Sequence, residues 1–147
     1  ILSNDRIKNN LKTWLAKYKG INDQIEIFDA KIVNFGINFE ISVDPRFNKE
    51  EIVNLAIKNL KDKYLTKLYI GEPVYLTEIS NILSKTRGAI DVVSIEVVNK
   101  KTGNYSTTPL ELNKVLSRDN TYYKTPKNVI MELKFPSEDI KGKAKWL

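Results

Sequence analysis

The stretch VNFGINFEISV, Val33 to Val43, decides the fold. Its odd positions, Val33, Phe35, Ile37, Phe39, Ile41 and Val43, are apolar, and its even positions, Asn34, Gly36, Asn38, Glu40 and Ser42, are polar or small. Successive strand side chains point to opposite faces, so this alternation predicts one long strand with a buried face and a wet face. Gly36 inside it marks a bulge or a close neighbour. The preceding IEIFDAKI, residues 25–32, reads as extended too, as a separate short strand or as the same ribbon after a kink.

Reading outward, Asp44-Pro45 ends the strand, and Asn48 with Glu51 forms a capping-box pattern that starts a helix to about Tyr64. Ile52, Ala56, Leu60 and Tyr64 make its apolar stripe, widened by Val53 and Ile57, the profile of a helix lying on a sheet. Leu68, Ile70 and Val74 predict a short strand, broken by Gly71 and Pro73. A further helix runs from Leu76 or Thr77 to Thr86 and carries Leu76, Ile79, Ile82 and Leu83, with Gly88 as its left-handed stop. Ile90 to Val98 reads as a strand, and Asn99 to Gly103 as a turn. Upstream, Ile7, Leu11, Trp14, Leu15 and Tyr18 form one stripe of a helix over Asp5–Lys19, with Gly20 as its stop.

Downstream, Thr108 to Glu111 can open a short helix to about Leu116. Val129 to Phe135 alternates as a last strand closed by Pro136, and the tail SEDIKGKAKWL reads as polar and basic. The expected fold is α+β: a mixed β-sheet with helices packed on one face, a β-α-β-α-β core, an N-terminal helix, and a C-terminal arm with a final strand. Strands joined by helices are expected to lie parallel through right-handed crossovers. Residues 1–24 form the N-terminal helix and linker, 25–103 the core, and 104–147 an irregular arm and last strand of the same domain. The chain begins with Ile1-Leu2 rather than Met, and is expected to be a fragment of something longer.

Composition narrows the chemistry. The 147 residues contain no histidine and no cysteine, which excludes Ser-His and Cys-His nucleophile pairs and thiolate metal sites. Adjacent acids such as Glu50-Glu51 and Glu138-Asp139 do not face each other, as carboxylate catalysis requires; the first pair reads as first-turn acids of a helix. Arg87-Gly88 lacks the further glycine and lysine of a phosphate loop. No catalytic residue, metal ligand or cofactor is expected. Net charge is +6, but the lysines are spread along the chain, a solvated surface rather than one patch. No apolar run reaches the roughly 18 residues of a membrane helix, so no membrane contact is expected.

The order of LKDKYLTKLYIGEPVYLTEISNILSKTRGAIDVVSIEV, with its Ile70-Gly71-Glu72 corner, Ile79–Leu83 helix, Gly88 and Val92–Val97 strand, resembles the C-terminal part of baseplate J-like proteins of contractile phage tails. The flanks YKGINDQIEIFDAKIVNFGINFEI and YYKTPKNVIMELKFPSEDIKG are similar to the C-terminal region of the baseplate wedge protein of large myovirus tails, and the likeness spans about Leu11 to Gly142. The resemblance implies a structural virion protein that joins neighbouring wedges into a ring. Its partners would be copies of itself, through dimer contacts in that ring, and other baseplate wedge proteins. Its place would be the virion tail, assembled in the host cytoplasm, and it implies no enzymatic site.

Such a block needs aromatic residues at its contacts, because Trp and Tyr dominate interface energetics. Candidates are Trp14, Tyr18, Tyr122, Tyr123 and Trp146, on the first helix, the arm and the C-terminal end. Gly20, Asn48, Gly71, Pro73 and Gly88 have turn and cap roles. The competing reading is a basic nucleic-acid-binding α+β module, suggested by charge and by Tyr122-Tyr123-Lys124. Base stacking on a sheet needs rings on the exposed face, and the even positions of the long strand hold none.

Overall fold

The computed structural model describes residues 3–147, in two compact units divided between Ala30 and Lys31. In the first, helix α1 spans Asp5–Leu15, and the Asn4 side chain accepts a hydrogen bond from the Arg6 N–H at 2.8 Å. The helix stops short of the predicted Lys19. Lys17 and Tyr18 donate to the carbonyls of Trp14 and Leu15, bonds that tighten the last turn and end the α-helical ladder early. Gly20 is therefore not the cap, a role that falls to Ala16; its N–H donates instead to Asp23 Oδ2 at 2.8 Å. Residues 23–30 form no strand, so the extended reading of IEIFDAKI holds only from Lys31. Asp29 accepts hydrogen bonds from Lys8 Nζ and the Ser3 N–H, both at 2.8 Å. The Lys8 bond first, then that of Ser3, holds its carboxyl down at about 2.

The second unit is an α+β fold built on one strand. β1, Lys31–Val43, pairs antiparallel with β3, Ala89–Lys100, on one side. On the other side it pairs in parallel with β5, Val129–Glu132, along Lys31–Asn34, and with β6, Ile140–Trp146, along Ile37–Val43. The odd residues of β1 from Val33 to Val43 are fully or almost fully buried, as their alternation predicts. Onto that face α2, Lys49–Lys63, sets Ile52, Ala56 and Leu60, and α3, Leu76–Ser84, sets Ile79 and Leu83. Complete burial of one such Leu or Ile is worth roughly 1.5–3 kcal/mol. Asn48 caps α2 by accepting the Glu50 N–H at 2.9 Å.

Several expectations change. β2 is just Val74–Tyr75 and lies outside the main sheet, pairing with β4, Tyr122–Tyr123, in a two-stranded ribbon. With no strand of the main sheet between the two helices, the chain returns beside β1 in the opposite direction, and β3 runs antiparallel rather than parallel. The corner before β2 is made by Gly71, at φ +74°, whose N–H donates to the Val129 carbonyl, with Pro73 two residues on. Gly88 does not cap α3, which ends at Lys85. Its φ of +91° serves the turn into β3, where an added Cβ would lie 2.6 Å from Ile52 Cδ1. The expected helix after Thr108 shortens to α4, Leu112–Val115.

The predicted last strand ends at Glu132 because α5, Pro136–Asp139, follows. The true last strand is β6, hidden in the tail read as merely polar. Lys141, Lys143 and Lys145 alternate there with Gly142 and Ala144. The small residues face inward because α2 lies close: a Cβ at Gly142 would sit 2.3 Å from the Phe39 ring and 2.9 Å from Val53. Replacing Gly142 with valine is expected to destabilise the fold by about 1–3 kcal/mol through overpacking. Chemical denaturation measures this, and Lys143→Val, one residue on and outward, is the mild control.

Candidate functional site

Five aromatic side chains were expected at contacts, and the structure separates them. Trp14 and Tyr18 are 55% and 73% exposed, with ring centroids 5.3 Å apart. They continue a stripe with Ile7 and Leu11, which are also exposed, and no residue of α1 is buried. Trp146 is 55% exposed at the end of β6, with Lys49 Nζ 4.1 Å from its ring centroid, a cation–π contact. Tyr122 is half-buried against Tyr75, centroids 5.6 Å apart. Tyr123 is 9% exposed and belongs to the core, and burial pushes its phenol up. The reason is strand alternation: β4 turns one tyrosine outward and the next inward.

The outward sheet face is not uniformly wet. Asn34 is 1% exposed, and Gly36 and Ser42 are buried too. The arm folds over one end. Asn34 accepts the Ser106 N–H at 2.7 Å and donates to Glu132 Oε1 at 3.0 Å, so one amide fastens arm to sheet. Asn99 donates to the Leu110 carbonyl, and the Tyr105 hydroxyl donates to the buried Asp139, which also accepts the Phe135 N–H. The stretch from Asn104 to Asn128 is thus a fitted strap rather than a free arm.

Beyond the strap the face is open and charged. Glu96, Asn38 and Lys141 lie in one cross-strand row, Ser94, Glu40 and Lys143 in the next, and Asp91, Ser42 and Lys145 in a third. Lys145 Nζ is 3.9 Å from Glu40. No aromatic ring belongs to these rows. The register of β1 on β3 slips twice, skipping Val93 and Ile90, two apolar residues that are left exposed on β3. These are β-bulges in the outer strand.

Among the described residues, no group of three or more acidic or other metal-binding side chains converges. Glu50 and Glu51 are first-turn acids of α2, and Asp139 is spent on Tyr105 and Phe135. An open cleft of about 560 Å³ between residues 64–68 and 130–136 is lined mainly by apolar chains, Leu65, Leu68, Leu133 and Phe135 among them. No family model matches the chain, and no curated protein matches it.

The bond to Asp139, ahead of burial, raises the Tyr105 phenol from 10.0 to about 12. A raised pKa means the folded state favours the neutral phenol, so this stabilisation is complete below pH 10 and is lost as pH climbs through about 12. Tyr105→Phe keeps the edge-on packing against Phe135 but leaves the buried Asp139 Oδ1 without its donor. It is expected to lower the thermal midpoint at pH 7 and to remove this part of the alkaline decline. Thermal melts of both proteins between pH 7 and 12 provide the check.

Proposed function

We propose that this chain is a structural piece of a contractile phage tail baseplate, the C-terminal region of a wedge subunit, that docks on copies of itself and on other wedge proteins. It acts by shape and contact, with no catalytic step and no cofactor. Its place is the assembled virion tail, after assembly in the host cytoplasm. The ordered resemblance from Leu11 to Gly142 supplies the family. The observation that supports the assembly role is the α1 stripe: Ile7, Leu11 and Trp14 share one face of α1, Tyr18 follows in the turn beyond it with its ring 5.3 Å from that of Trp14, and all four stand exposed. Large apolar groups gathered on one face mark a surface that association covers, and an amphipathic helix gains most of its stability from burying that face.

Trp14→Ala with Tyr18→Ala is expected to weaken association, as removing an aromatic anchor does, by roughly 2 kcal/mol or more. Analytical ultracentrifugation of the two proteins across a concentration series reads this. Mass spectrometry of purified tails is expected to find the parent protein there; its absence would defeat the virion assignment. Tight binding to random duplex DNA that falls steeply with salt would instead favour the nucleic-acid module.

A further inference from the structure

Residues 25–29, IEIFD, have the composition of a strand yet belong to none. Ile25 and Ile27 are half-buried, while Glu26 and Phe28 are exposed, the period-2 division of an extended segment. Phe28 is 80% exposed, more than Trp14 or Tyr18. An acid and an aromatic ring therefore share one open face. In the second unit, the cleft of about 560 Å³ between residues 64–68 and 130–136 has Leu65, Leu68, Leu133 and Phe135 in its walls. Exposed Lys67 and Lys134 also line it, and Glu132, its acid, already accepts from Asn34. Among the described residues neither Glu26 nor Lys67 enters an ion pair.

We propose that Phe28 of one copy inserts into this cleft on a second copy, with Glu26 meeting Lys67 at its rim. This rests on the assembly reading above and names a surface for it separate from the α1 stripe. The chain leaves its own Phe28 exposed and its own cleft open, so each is available to another molecule. The patches match in both respects that matter. An aromatic ring seated in a partner's apolar hollow is the usual form of an interface anchor. Acid beside the ring and lysine beside the hollow fix the register and reject wrong pairings. The α1 stripe fits this cleft less well, because its segment carries Arg6, Lys12 and Lys17, like in charge to Lys67 and Lys134. Since the two patches differ, each copy can give one anchor and receive another.

The test compares wild type, Phe28→Ala, Glu26→Lys and Lys67→Glu by sedimentation velocity at low and high salt. All three positions are exposed, and circular dichroism confirms that each variant is folded. Wild type is expected to self-associate, and Phe28→Ala to do so roughly tenfold or more weakly. Each charge reversal is expected to weaken association at low salt, by a margin that shrinks at high salt. Combining the two, Glu26→Lys/Lys67→Glu, is expected to restore it. The chain has no native cysteine, so an oxidised mixture of Glu26→Cys and Lys67→Cys is expected to give a disulfide between position 26 of one chain and position 67 of the other, mapped by mass spectrometry. A monomeric wild type would overturn the inference. So would Phe28→Ala that associates like wild type; loss of association in Trp14→Ala/Tyr18→Ala alone would then leave the assembly reading standing. With both cysteines in one chain, a monomer that closes its own disulfide would also overturn it, by making the chain its own occupant.

Discussion

One strand bears the whole second unit. β1 is hydrogen-bonded on both sides along most of its length, antiparallel to β3 and parallel to β5 and then β6. Its six odd-numbered apolar residues are the shared floor on which α2 and α3 stand. Because the side-chain period is two, a one-residue slip would turn all six out to water and bring Asn38 and Glu40 in. At roughly 1.5–3 kcal/mol per fully buried large side chain, such a slip would cost as much as the whole 5–15 kcal/mol by which domains are stable. The register of the strands around β1 is therefore fixed by that alternation before any specific contact refines it.

What could be read in the sequence follows from how local each signal is. β1, α2 and α3 were legible because period-2 and period-3.6 patterns, and the Asn48 cap, are written within one element. β2 and β6 were not, for different reasons. Val74-Tyr75 is too short for alternation to show, and its partner Tyr122-Tyr123 lies far along the chain. β6 departs from the usual rule after Ile140: its next inward positions are Gly142 and Ala144, not large apolar residues, because α2 and the Phe39 ring already fill that space. A strand whose buried face must be small looks like a polar tail. The same blindness hid the wet face of β1, where Asn34 is buried by a strap some seventy residues away.

The candidate contact residues show a similar split. Trp14, Tyr18 and Trp146 stand exposed; helical spacing showed an apolar stripe on the first helix but not what, if anything, covers it. The Tyr122-Tyr123 pair could not be resolved without knowing which way β4 faces, and one of the two belongs to the core. The charged margins were invisible for a stronger reason. Asp91, Glu96 and the three lysines are unremarkable singly, and become an acid-to-base gradient only when β1 sets β3 and β6 on either side of it.

That placement ties the surface to completion of the fold. β1 meets β6 across about a hundred residues, Ile37 opposite Ile140. Closing a loop of that length costs on the order of 4 kcal/mol in the logarithmic entropy term alone. The β1–β3 pairing needs a shorter loop, and α2 and α3 pack over the same floor, so this half can form on more local contacts. The lysines of β6 therefore reach the sheet only through the longer closure, beyond the turn that α5 makes.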